Sequence, residues 1–200
     1  MKKVLHVLPF VLPLILFAAD GQAAGGHGGH KSKYAGQVTR AIKSLSEDDI
    51  AELRRGGGWG LAKAAELNGV PGPAHLLEIK AAVPLSADQV TKIEALYQDM
   101  KAKAIKQGEE LIALELKLER HFTERTITDD ILQASLSDIA AARKNLRYIH
   151  LATHLKTPGI LSEAQITKYN TLRGYGKSDP CANVPEGHNA EMWKRHNGCK

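Results

Sequence analysis

The chain has 200 residues, a formal net charge of +5, 24% charged and 5% aromatic residues, which suits one domain plus extensions of soluble, globular composition. Its lysines and arginines interleave with glutamates along helical stretches, as on a solvated face, and so few aromatic rings leave no stacking platform for single strands. Nucleic acid is thereby excluded as a partner.

Lys2 and Lys3 precede an apolar run from Val4 to Ala19, too short to span a bilayer and followed by small residues. That is the layout of a secretory signal peptide, so residues 1–24 are read as a leader and the mature protein as exported, with no membrane partner after cleavage. Losing the leader removes two lysines and one aspartate, so +5 becomes +4. Residues 25–45 lack periodicity and are glycine-rich, which predicts a mobile arm carrying His27 and His30. Cleavage after Ala24 would leave Gly-Gly-His at the new terminus, a square-planar donor set for copper(II) or nickel(II). A plain flexible linker is the competing reading.

Ser46 and Asp49 open a short helix, SEDDIAELRR, which stops at Gly56, Gly57 and Gly58. The glycine triplet is no phosphate loop, lacking the lysine-serine/threonine ending and a preceding strand, and reads as a hinge. Trp59 after it is expected to anchor the core. WGLAKAAELN and Ala74–Ala82 predict two more short helices. The stretch from Leu85 to Phe122 then organises the chain. Ile93, Tyr97, Met100, Ala104, Leu111, Leu114, Leu118 and Phe122 recur three or four apart, mostly, as one buried face of a helix roughly 55 Å long. Ser86 is its N-cap, with Gln89 placed to close a capping box. Ile105, Ile112 and Leu116 add a second strip. Ile105, Leu111, Ile112, Leu114 and Leu116 are accordingly expected to face a client or a second chain. Gly108, inside the helix, costs about 1 kcal/mol relative to Ala unless a close crossing uses its missing side chain.

A short connection leads to a second long helix, Asp129–Lys156, capped by Thr128, with an apolar stripe through Leu132, Leu136, Ile139, Leu146 and Ile149. A short link makes the two helices antiparallel neighbours. Pro158 and Gly159 end the pair, and Leu161–Leu172 is a further helix opened in the same way. Nothing alternates with period two, so the fold is predicted all-α: an extended helical hairpin with flanking short helices.

The two openings, Leu85-Ser86-x-x-Gln89 and Leu161-Ser162-x-x-Gln165, resemble the paired LTxxQ motifs of the Spy/CpxP family of periplasmic helical proteins. GLAKAAELNGVPGPAHLLEI and YNTLRGY resemble a branch of it associated with heavy-metal resistance and refolding. The likeness covers about residues 34–175, with serine where threonine is usual; the capping hydroxyl is retained. It implies a periplasmic protein, a helical domain over residues 46–175, and a curved antiparallel homodimer whose concave face holds clients.

His150 and His154, four apart on the second long helix, present one face that could share a zinc or copper ion; two core histidines are the plainer reading. His121 lies at the far end of the hairpin. The tail, residues 176–200, holds Cys181 and Cys199, expected as a disulfide in an oxidising compartment and stabilising by about 3 kcal/mol. A Cys181, His188, His196, Cys199 zinc set is the alternative, with spacings that match no standard finger. No catalytic constellation emerges, so an enzyme is not expected. No cofactor is required. The expected function is ATP-independent binding of unfolded or misfolded periplasmic proteins; the alternatives are a zinc or copper buffer or sensor and a regulator of an envelope signalling receptor.

Overall fold

A computed structural model describes residues 32–175, 181, 184 and 187–199. The leader, His27 and His30 lie outside them. The chain divides into a small unit, Met1–Ala35, and a larger one, Gly36–Lys200. Of the small unit, residues 32–35 are described, a turn closed by the Ala35 amide donating to the Ser32 carbonyl at 2.9 Å.

All regular structure among the described residues is helical: α1 (Glu47–Arg54), α2 (Lys63–Glu66), α3 (Pro73–Glu78), α4 (Ala87–Thr123), α5 (Asp129–Lys156), α6 (Glu163–Leu172) and α7 (Ala190–His196), with a 3-10 turn at Thr157–Ile160. The expected caps form. The hydroxyls of Ser46, Ser86 and Ser162 accept the amide three residues on, and Asp49, Gln89 and Gln165 return the bond to the cap's own amide. Thr128 caps α5 through the Ile131 amide. Residues 124–128 reverse the chain, with Arg125 in the left-handed region at φ 55°, and α5 packs back along α4.

The buried face of α4 runs through Ile93, Met100, Ala104, Gly108, Leu111, Ile112 and Glu115. It feeds two cores. One joins Leu111 and Ile112 to Ile139, Ala142 and Leu146 of α5 and to Ile42, Leu45 and Leu53 of the chain ahead of the hairpin. The other joins Ile93 to Leu76, Val83 and Tyr169, beneath α3 and α6. Gly108 is the close crossing: a Cβ there would meet the Leu53 carbonyl oxygen, at the end of α1, at 2.6 Å.

The structure corrects several expectations. Residues 36–45 are not loose arm, because Ile42 and Leu45 are 3% and 1% exposed. Polar contacts pin the same stretch to α4: the Lys43 amide and ammonium reach Glu119, and the Ser44 hydroxyl reaches Glu115 at 2.7 Å. Two anchors three apart show no periodicity, so the sequence pattern hides them. The glycine triplet begins as a packed turn rather than a free hinge, with Gly56 buried and Gly58 exposed. Gly56 has φ 68° and lies so near α4 that a Cβ would stand 2.9 Å from the Lys101 carbonyl. WGLAKAAELN shortens to the single turn of α2, and α3 ends at Glu78 rather than Ala82. Phe122 and Leu136, placed on buried stripes by spacing, are 55% and 50% exposed. Trp59 is half-buried against the first core, its indole N–H donating to Asp49 at 2.8 Å.

The two LSxxQ motifs meet. The Gln89 amide nitrogen donates to the Ile160 carbonyl (2.8 Å) and to Gln165 Oε1 (2.9 Å), while Gln165 Nε2 donates to the Pro84 carbonyl (2.8 Å) and Gln89 Oε1 (2.9 Å). Each side chain thus caps its own helix and ties down the segment leading into the other. Leu85 and Leu161 pack beside them on the second core.

Candidate functional site

Two features of the larger unit bear on function: a histidine-lined cleft and an outer seam along α5.

The cleft, of about 270 Å³, lies where residues 52–78 meet the first half of α4, at Tyr97 and Met100, and the last turns of α5. His150 and His154 enter from α5, 3% and 5% exposed. The phase of the helix requires this, since the two follow the buried Leu146 by four and eight residues and so fall on its side of α5. Gly72, between Pro71 and Pro73, leaves room for the His154 ring, which occupies the space a Cβ there would take. The ring is oriented by its Nδ1–H, which donates to the Val70 carbonyl at 2.9 Å. Its Nε2 then faces Glu66 Oε1 at 3.9 Å, while His75 Nδ1 bonds the same oxygen at 2.8 Å. Tyr175 donates to the other Glu66 oxygen at 3.2 Å. His150 Nε2 is buried with no hydrogen-bond partner among the described residues. Burial, and the nearby His154, hold its pKa below the usual histidine value.

His150 and His154 are therefore brought together, with His75 and Glu66, which the sequence reading missed because they sit on short helices far from the histidine pair in the chain. A metal centre needs more. Among the described residues no group of three histidine, cysteine, aspartate or glutamate side chains is arranged to hold an ion. In the tail Cys181 and Cys199 are joined in a disulfide, and His188 packs edge-on against Trp193 with ring centres 4.9 Å apart. His121 is engaged locally, its Nδ1 2.9 Å from the Thr126 hydroxyl.

The apolar surface lies elsewhere than expected. Leu111 and Ile112, assigned from spacing to a client or a second chain, are 0% and 7% exposed beneath α1 and residues 36–45. Leu114 and Leu116 are half-buried against the same core, and Ile105 packs beside Gly56. Large apolar side chains stay uncovered on α5, where Tyr148 is 70% and Leu155 79% exposed, and singly elsewhere, as at Val38 and Leu67. Leu155 stands nine residues after the buried Leu146, about half a turn around the helix. That second apolar side was the signal available in the sequence.

Along this side α5 and residues 59–70 border two shallow concavities, one after the other along α5. Trp59, Leu61, Arg143, Lys144 and Arg147 line one; Ala64, Ala65, Val70, Leu151 and Leu155 line the other. Arg143 is committed: it bonds Glu115 at 2.9 Å and stacks over the Trp59 ring, 5.3 Å from its centre. Glu115, 6% exposed, is in turn satisfied by Arg143 and Ser44.

Comparison of the chain with protein-family models, curated proteins and solved structures returned no match. The class that the fold itself defines is an all-α protein built on a long helical hairpin. Among the described residues no helix is long and apolar enough to cross a membrane.

Proposed function

We propose that this is an exported, ATP-independent protein-binding protein of the chaperone or envelope-stress kind, holding unfolded or misfolded polypeptides on the outside of its helical hairpin. One observation carries the reading: large apolar side chains on α5 and at the end of α4, namely Leu155, Tyr148, Leu136 and Phe122, stand half or more exposed on a fold that buries its own cores well. Covering such surface stabilises a complex by roughly 25 cal/mol per Å² of apolar area, enough for transient holding when spread over a few side chains. The paired LSxxQ openings and the leader-like N-terminus support the same reading through their resemblance to the periplasmic Spy/CpxP proteins, and with it a curved homodimer. The test is suppression of aggregation of a reduced or denatured model protein without nucleotide. Suppression at near-stoichiometric ratios is expected; none at severalfold excess would contradict the reading.

Metal handling is the second reading, favoured by the unpartnered His150 Nε2 in a cleft shared with His154, His75 and Glu66. Calorimetric titration with zinc and with copper tests it. Micromolar binding abolished by His150→Ala and His154→Ala would support it, and no heat from either ion would remove it.

A further inference from the structure

We infer that the seam between α5 and residues 59–70 is a docking groove for acidic-aliphatic polypeptide segments, a proposal that rests on the protein-binding reading above and names the client chemistry. The groove is two-ended. At one end Lys144 and Arg147 make no ion pair among the described residues, since Arg143 alone of the three is taken up by Glu115. At the other, Leu151 and Leu155 face Ala64, Ala65 and Val70. Among the described residues no carboxylate lines either concavity. An occupant therefore needs negative charge next to small or branched aliphatic side chains; a basic segment is repelled at one end and an all-polar one gains nothing at the other. From Lys144 to Leu155 the rise along α5 is about 17 Å, the span of roughly five residues of extended chain.

The layout favours a polypeptide over a bilayer, because α5 borders the seam on one side and residues 59–70 on the other, which suits a chain laid lengthwise along it. The one tryptophan on it is also unavailable for membrane insertion, its indole N–H held by Asp49 and its ring covered by Arg143. Oppositely charged surfaces raise the encounter rate and set direction, while the aliphatic end supplies the holding, which is the division of labour a releasable client site requires.

The experiment uses the full chain and three labelled peptides of equal length, one acidic-aliphatic, one basic-aliphatic and one acidic with serine for each aliphatic residue, followed by fluorescence anisotropy. The acidic-aliphatic peptide is expected to bind best, and Arg147→Glu and Leu155→Ser are each expected to weaken it by about tenfold. Both positions are exposed, and circular dichroism melts should show the variants as stable as the parent. Equal binding of the acidic-aliphatic and basic-aliphatic peptides, or undiminished binding in both variants, would overturn the assignment. So would loss in these variants of binding to anionic phosphatidylserine vesicles, or of self-association, with no peptide binding by the parent. Aggregation suppression measured in parallel separates this proposal from the reading beneath it. If parent and variants suppress equally, the groove is wrong and protein holding stands; if the parent binds the acidic-aliphatic peptide but suppresses nothing, the groove stands and the chaperone reading falls.

Discussion

Gly108 shows how a single position can invert a propensity argument. In an isolated helix its replacement by alanine would stabilise by about 1 kcal/mol. Here the added methyl would stand 2.6 Å from the Leu53 carbonyl oxygen, a backbone atom that cannot swing aside. Gly108→Ala is therefore expected to destabilise by about 1–3 kcal/mol, as overpacking does; urea unfolding measures it, and a stabilised variant would show that α1 does not cross α4 there. Asp49 carries a second prediction. Its carboxylate accepts from the Ser46 hydroxyl (2.6 Å), the Trp59 indole (2.8 Å) and the Ser46 amide (2.8 Å), and these bonds, led by the Ser46 hydroxyl, hold its pKa below the ordinary 3.8. The unfolded chain takes up the proton near 3.8, the folded chain only at lower pH. The stabilisation is thus complete above 3.8 and disappears as pH falls through the lowered folded value. The stability gap between the parent and Asp49→Asn should be flat near neutrality and shrink below pH 3.8. A gap independent of pH would show that the carboxylate's charge contributes nothing.

Among the elements, the joined openings of α4 and α6 are the point where local and tertiary structure depend on one another. Removing either Gln89 or Gln165 takes the return bond from one capping box, one of the two bonds of the partner's side-chain amide, and the donor to the Ile160 or Pro84 carbonyl, an expected loss of about 1–3 kcal/mol. Because both side chains belong to one network, the double variant Gln89→Ala, Gln165→Ala should lose less than the sum of the singles, with a coupling of about 0.5–3 kcal/mol. Additive losses by chemical denaturation would mean that the two caps act separately. Much of this level was legible beforehand. A serine three residues ahead of a glutamine, next to a run of period 3.6, specifies a helix start through hydrogen bonds made within four residues, and the long helices, their caps and the hairpin follow from such local rules. The pairing of the two glutamines did not, because it spans 76 residues and depends on where the 3-10 turn delivers α6. Residues 36–45 were illegible for a related reason: Ile42 and Leu45 are buried by what lies across from them, not by any pattern of their own. The cleft was half legible. The i, i+4 spacing placed His150 and His154 on one side of α5, but nothing near them announced Glu66 or His75.

On the scale of the whole molecule, the question is where apolar surface is left over once the chain has covered itself. Spacing along α4 pointed to Leu111 and Ile112. The fold uses both, closing them under α1 and the segment ahead of it, and on the hairpin leaves Tyr148 and Leu155 of α5 the most exposed. The shift matters for any assembly. A second chain or a client that met the hairpin through α4 would have to displace a packed core, at several kcal/mol for each large side chain uncovered, whereas one that met it along α5 displaces only water. Changing Leu111 to glutamate should accordingly unfold the domain, while Leu155→Glu should leave it folded and impair holding, a contrast that thermal melts and aggregation assays read together. Both cores would stay intact while a client is bound.

The most direct trial of this account is hydrogen exchange by mass spectrometry on the full chain, with and without a saturating, permanently unfolded client. The account predicts new protection in the segments bearing Trp59 to Val70 and Lys144 to Leu155, with the α4 amides around Leu111 and Ile112 unchanged because they are already buried. Protection confined to α4, or none anywhere with the client present, would contradict it.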